Sequence, residues 1–178
     1  MPSDRNTDAR YRLELDILYK ISQAMAHQQD VAALLDEVLD ILETKMGLQR
    51  GTLTLRQPGT DTFRIEASRG LTADERRRGS YGLGEGVTGR VAQTGRPALV
   101  PDITKDPHFL DRTQSRKSRP VAFLCVPIVH QRRVIGTMSI DRPVAPEAQL
   151  HRDLDFLKLV ADILAEAVAR IREQLEER

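Results

Sequence analysis

The sequence predicts an α+β domain built on a central, mostly antiparallel sheet, with the N- and C-terminal helices on one face and loops on the other. Three observations carry that expectation. Apolar residues recur at helical spacing at both ends of the chain, and strand-like alternation and apolar runs fill its middle. At 178 residues with 40% hydrophobic content, the chain can build one core but not two.

In chain order, the polar start reads as disordered to about Arg10. Tyr11, Leu15, Leu18, Ser22 and Met25 then recur at helical spacing, and Leu13, Ile17 and Ile21 widen the stripe. Asp30 can N-cap a second helix with Val31, Leu34, Leu35, Val38, Ile41 and Leu42 on its core face, and Gly47 is placed to end it. Gly51–Arg56 and Phe63–Ser68 alternate apolar and polar about Pro58-Gly59, as the strands of a half-exposed hairpin do. A short polar helix is expected from Thr72 to Arg78. Val87–Thr94 reads as a short amphipathic helix ended by Gly95, and Ala98-Leu-Val-Pro101 as a strand. Phe123-Leu-Cys-Val-Pro-Ile128 and Val134-Ile-Gly-Thr-Met-Ser-Ile-Asp141, joined by His130-Gln-Arg-Arg133, read as a buried strand pair.

The last helix is the most regular segment. Leu150, Leu154, Leu157, Ala161, Leu164, Val168, Ile171 and Leu175 keep the 3.5-residue repeat of a coiled-coil seam. Because Arg170–Arg178 offers only a narrow apolar stripe, the seam, with Leu157, Leu164, Val168 and Ile171 within it, favours a homodimer held by the terminal helices. The alternative is a helix that packs wholly on its own sheet.

Charge and cysteine content narrow the function classes. Lys and Arg number 27 against 26 Asp and Glu, so the net charge of +1 gives no general pull toward nucleic acid or membrane. One cysteine makes no internal disulfide, and neither a signal peptide nor a bilayer-spanning apolar run is visible, which points to the cytoplasm. Gly84-Glu-Gly86-Val-Thr-Gly89 fits the spacing of the dinucleotide fingerprint and of the kinase phosphate loop, but neither context is present. The preceding Arg76–Tyr81 is polar and basic rather than an apolar strand, and the kinase lysine strand, HRD and DFG loops are absent. Gly84, Gly86 and Gly89 therefore read as shaping a turn.

Together, Tyr81-Gly-Leu-Gly-Glu-Gly-Val-Thr-Gly-Arg-Val91 and the strand pair resemble a GAF domain, a ligand-sensing module of PAS/profilin-like architecture. With Pro97-Ala-Leu-Val-Pro-Asp-Ile103 and Asp106-Pro-His-Phe-Leu-Asp-Arg-Thr113 in that order, the chain is similar to the amino-terminal GAF domain of NifA-type activators of nitrogen-fixation genes. The resemblance implies a sensor domain over residues 11–160 and a C-terminal coiled-coil-like signalling helix over 161–178. It further implies a downstream AAA+ ATPase gated by the sensor, 2-oxoglutarate as a ligand in some members, and an inhibitory regulatory protein of the NifL or PII type as a partner. No cofactor and no direct contact with nucleic acid are implied for this domain.

Arg112, Arg116, Lys117 and Arg119 place four cations in eight residues beside the expected pocket. Arginine forks suit carboxylates, so Arg112, Arg116 and Arg119 are candidate ligand-binding residues, with Arg90 on the pocket helix and Thr88, Thr137 and Ser139 as hydroxyl donors. A solvated basic loop is the competing reading. His108, Asp111, Cys125 and His130 lack a metal-ligand spacing, and Cys125 in an apolar strand reads as a core residue. A methionine-sulfoxide-reducing GAF enzyme needs a second cysteine, so no enzyme activity is expected. The alternatives are a cyclic-nucleotide receptor, for which the base-binding pattern is missing and aromatic residues are only 4%, and a ligand-free dimerisation module.

Overall fold

A computed structural model describes residues 2–116 and 119–177, so Met1, Arg178 and, in the basic segment, Lys117 lie outside the described residues. The chain opens with helices α1 (Pro2–His27) and α2 (Val31–Met46). Helix α1 includes the residues to Arg10 that the sequence suggests are disordered. They contain no helix breaker after Pro2, and Arg10 is anchored to the buried Asp153 at 2.9 Å. The Asp30 side chain accepts from the Ala33 amide at 2.8 Å, and Gly47 ends α2 with φ +65°.

Strands β1 (Gln49–Arg56) and β2 (Thr62–Ser68) follow, then α3 (Ala73–Arg78), β3 (Ser80–Gly82), α4 (Gly86–Thr94), β4 (Ala98–Val100), β5 (Ala122–His130), β6 (Arg133–Arg142) and α5 (Glu147–Glu176). The sheet order is β3-β2-β1-β6-β5-β4, and every neighbouring pair is antiparallel. Gln131 and Arg132, both at positive φ, close the β5–β6 hairpin as a two-residue turn whose twist suits the flanking strands. Edge strand β3 lies in the polar run around Arg78-Gly-Ser-Tyr81 that carries no strand signal in the sequence.

Strand β1 corrects the expectation of a half-exposed hairpin. It lies between β2 and β6, and all of Gly51–Leu55 is buried. Leu53 and Leu55 join the main core under the helices, whereas Thr52 and Thr54 are buried by hydroxyl pairing with β6. Satisfied hydroxyls can enter a core at little cost, so alternation alone does not reveal exposure.

The helix-side core corrects two further expectations. Along α5, Leu150, Leu154, Leu157, Ala161, Leu164, Val168 and Ile171 are all buried within the chain's own core, and only Leu175 of the seam is exposed. The seam therefore meets the sheet rather than a partner helix, because α5 lies along β5 for much of its 30 residues. On α1 the buried stripe is Ile17, Ile21 and Ala24, while Tyr11, Leu15 and Tyr19 are 60%, 66% and 64% exposed. Arg10 pairs with Asp153 and Arg170 donates to the Met25 carbonyl, so α1 and α5 run side by side in parallel. Among the described residues no helix is long and apolar enough to cross a membrane.

Candidate functional site

The other face of the sheet is covered by α4 and by the segment between β4 and β5, over a small second core of Val87, Val91, Val100, Ile103, Phe123 and Cys125. Its floor is polar. Thr52 shares a hydrogen bond with Ser139 across β1 and β6 at 2.5 Å, and Thr54 pairs with Thr137 at 2.6 Å and accepts from the Thr137 amide. These residues share a face because side chains alternate along each strand and the register sets Thr52 opposite Ser139 and Thr54 opposite Thr137.

Above this floor stands Arg116. The residue is 7% exposed, and its guanidinium makes a bidentate pair with Asp141, from Nε at 2.8 Å and from Nη2 at 2.9 Å. Nη1 donates to Asp111 at 3.0 Å, and the Arg116 amide donates to the same carboxylate at 3.2 Å. The rings of Phe109 and Phe123, packed edge to face, each lie 5.2 Å from the guanidinium carbon. Burial pushes the Asp141 carboxyl up from its ordinary value against the pull of Arg116. For Arg116 burial acts downward, but Asp141 and then Asp111 more than offset it, so the guanidinium remains charged.

Arg50, Thr52, Tyr81, Thr88, Phe109, Leu110, Thr113, Arg116, Phe123 and Ser139 surround the space between floor and loop. The enclosed volume is about 10 Å³, room for about one water molecule. Residues 109–115 form its roof, and Arg116 at its end is fixed to the sheet through Asp141. Leu110 rests on Gly86, where a Cβ would stand 3.0 Å from the leucine. Arg112 pairs with Glu85 at 2.9 Å and lies over the Tyr81 ring. Arg50 donates to the Ser115 carbonyl and Arg78 to that of Thr113. Burial raises the Tyr81 phenol to about 12. It does the same to the wholly buried Cys125 thiol, also to about 12, although hydrogen bonds with Thr88 and Thr137 oppose the rise.

The sequence candidates separate clearly. Thr88 and Arg116 reach the enclosed space. Arg112 is committed to Glu85 on its rim. Arg90 corrects its expected role: it is exposed on the outer side of α4 and donates to the Gly86 carbonyl. Arg119 is exposed beyond the roof and contributes no side chain to the space. Gly84 and Gly86 adopt φ of +80° and +61°, which side chains disfavour. Gly89 lets α4 approach β3, since a Cβ there would lie 2.3 Å from the Gly82 carbonyl oxygen. Arg50, Tyr81, Asp111 and Asp141 are site residues that sequence reasoning did not assign. An acid closing an otherwise apolar strand, opposite a basic loop, was the available signal for Asp141.

At the end of β6 the strand alternation links two charged groups. Asp141 faces Arg116, and the next residue, Arg142, faces the helix layer and pairs with Asp153 of α5, which is wholly buried and also held by Arg10 of α1. One strand end thus joins the pocket to both terminal helices.

The GAF domain family matches this chain over residues 30–168. The nitrogen fixation protein AnfA of Azotobacter vinelandii is 38% identical over 156 residues, covering 86% of this chain and 29% of that protein. A Nif-specific regulatory protein of Herbaspirillum seropedicae is 32% identical over 180 residues, covering 96% of this chain and 33% of its own length. The chain thus spans about a third of the length of these curated relatives. Among solved structures, the A. aeolicus nlh2 GAF domain in an inactive state superposes with a TM-score of 0.82 at 22% identity, over 91% of this chain and 98% of that one.

Proposed function

The chain belongs to the GAF domain family, and from that premise we propose that it is the ligand-sensing domain of a nitrogen-fixation transcriptional activator. In this reading it takes a small anionic metabolite, 2-oxoglutarate first, and its occupancy gates an ATPase domain of the full-length regulator. Similarity to AnfA and to Nif-specific regulators supports the setting. The observation that carries the ligand class is Arg116: a charged fork held over a hydroxyl floor, under a roof fastened mainly by polar contacts.

The space has room for about one water molecule, so binding a small acid requires the roof to lift. Once it has lifted, the desolvated guanidinium and the Thr52, Thr88 and Ser139 hydroxyls suit a compact acid better than a purine, because Phe109 and Phe123 are already packed on each other and against Arg116. Through Arg142 and Asp153, a disturbance of Asp141 lies one residue from α5, which supports a gating role for that helix. The domain acts without catalysis of its own: Cys125 is fully buried with a raised thiol, unsuited to serve as a nucleophile. Self-association belongs to this reading through the exposed α1 face of Tyr11, Leu15 and Tyr19, not through the α5 seam. An inhibitory protein of the NifL or PII type is the partner that the setting suggests.

Thermal unfolding with 2-oxoglutarate, cyclic nucleotides or buffer alone tests the proposal. At 100-fold over the dissociation constant the ligand adds about 2.7 kcal/mol, or about 5 to 11 °C for a domain of this size. A shift with 2-oxoglutarate alone supports the reading. A shift with a cyclic nucleotide replaces it with the nucleotide receptor, and no shift with any compound leaves the ligand-free module.

A further inference from the structure

Arg116 carries two carboxylates of different standing. Asp141 is fixed in the sheet on β6, 1% exposed and bidentate. Asp111 comes from the roof itself, its side chain 29% exposed, and reaches both Nη1 and the backbone amide of Arg116. The roof between Phe109 and Arg116 is therefore folded around a single charge pair. Its other fastenings are the Phe109 ring packed edge to face on Phe123, the surface pair Arg112–Glu85, the half-exposed Leu110, and two arginines donating to neutral carbonyl oxygens.

Charge accounting gives Asp111 a specific role. With Asp111 in place, Arg50 and Arg116 are balanced by Asp141 and Asp111. When the roof lifts, Asp111 leaves with it. Arg50, Arg116 and Asp141 then carry one surplus positive charge, and Nη1 of Arg116 loses its acceptor in a poorly hydrated site. A ligand carboxylate restores both the charge balance and the hydrogen bond.

We propose that Asp111 is a built-in carboxylate competitor: it occupies on Arg116 the place that the carboxylate of a small organic acid takes, so that ligand enters only as Asp111 leaves and the roof opens. This rests on the ligand-sensing reading above and deepens it by naming the group that the ligand displaces. The ligand class is a mono- or dicarboxylate, with one carboxylate on Arg116 and any second one within the field of Arg50. Apparent affinity is then the intrinsic affinity multiplied by the fraction of molecules whose roof is open, a fraction that Asp111 keeps low.

The test is Asp111→Asn, with Asp111→Ser as a second variant should the amide restore the contact as a neutral hydrogen bond. Two readouts are taken on the whole chain: amide hydrogen exchange of residues 109–116 without ligand, and calorimetric titration with 2-oxoglutarate and with succinate. The proposal expects faster roof exchange in at least one variant with the rest of the domain unchanged, and about fivefold to tenfold tighter binding of either acid. Arg112→Gln, which loosens the rim without freeing Arg116, should bind no more than about twofold tighter. Unchanged roof exchange in both variants overturns the proposal, and so does faster exchange with equal or weaker binding. If neither wild type nor variant binds either acid, the ligand-sensing reading falls with the competitor, even where exchange shows that Asp111 holds the roof. Binding by wild type with no gain in the variants removes the competitor alone.

Discussion

Removing the Arg116 side chain should damage the fold far more than a surface arginine would, and removing its partner as well should repair most of the damage. Arg116→Met keeps much of the apolar stem but leaves the Asp141 carboxylate, 1% exposed, without its two hydrogen bonds of 2.8 and 2.9 Å. Breaking a buried pair on one side costs about 3 to 5 kcal/mol, because a charge remains uncompensated in a dry site. For a domain of this size that corresponds to a fall in Tm of about 6 to 20 °C. Arg116→Met/Asp141→Leu removes both charges, and such replacements range from neutral to stabilising, so the double variant should unfold no more than about 5 °C below wild type. Differential scanning calorimetry on wild type, both single variants and the double variant closes the cycle. If Arg116→Met lowers Tm by less than about 3 °C, or if the double variant is as unstable as the sum of the singles, the pair is not the buried anchor described here.

Other consequences follow from the packing. Leu164→Asp or Ile171→Asp buries a carboxylate in the main core and should abolish cooperative unfolding by circular dichroism, whereas an intact fold with altered oligomeric state would restore the partner-helix reading. Tyr11→Ser/Leu15→Ser/Tyr19→Ser should leave the fold intact and abolish any dimer seen by sedimentation; a dimer that survives places the contact elsewhere. Gly89→Ala puts a Cβ against the Gly82 carbonyl and should cost more than the about 1 kcal/mol expected of Gly84→Ala, where the positive φ is joined only by a 3.1 Å approach to the end of the flexible Gln93 side chain. Chemical denaturation of the two variants ranks them, and equal costs would show that α4 does not approach β3 so closely. The Tyr81 phenol is raised to about 12, so the stability it contributes is fully present below its ordinary value of 10 and is lost as pH rises toward 12. In an alkaline absorbance titration compared with Tyr81→Phe, the Tyr81 phenolate should appear near pH 12; its appearance near pH 10 would contradict the burial.

Local signals were legible in the sequence. Asp30, Gly47 and Gly95 mark helix ends through groups a few residues away, and all three stand where the structure caps α2 and α4. The β5–β6 pair was equally clear, since two apolar runs so close in sequence have few places to go except against each other. Longer-range questions were not legible. The repeat on α5 states that one face is buried but not by what, and the chain's own sheet uses it. Likewise α1 carries apolar residues around much of its circumference, so periodicity could not decide that Ile17 and Ile21 face inward while Tyr11 and Leu15 do not.

The site shows the same division. Arg112, Arg116 and Arg119 are equivalent as a pattern, and only the path of the loop sends one into the fold, one to Glu85 and one to solvent. What singles out Arg116 is Asp141, 25 residues away in sequence. The hydroxyl floor is hidden for a related reason. Thr52 and Thr54 read as the wet face of a strand until the register pairs them with Ser139 and Thr137.

Calorimetric titration of wild type and of Arg116→Met/Asp141→Leu with 2-oxoglutarate separates a ligand site built on Arg116 from a purely structural ion pair, because the double variant removes the anchor while sparing the fold. One saturable site per chain is expected in the wild type and none in the double variant. Equal binding by the two proteins, or no binding by wild type at millimolar ligand, would contradict that expectation.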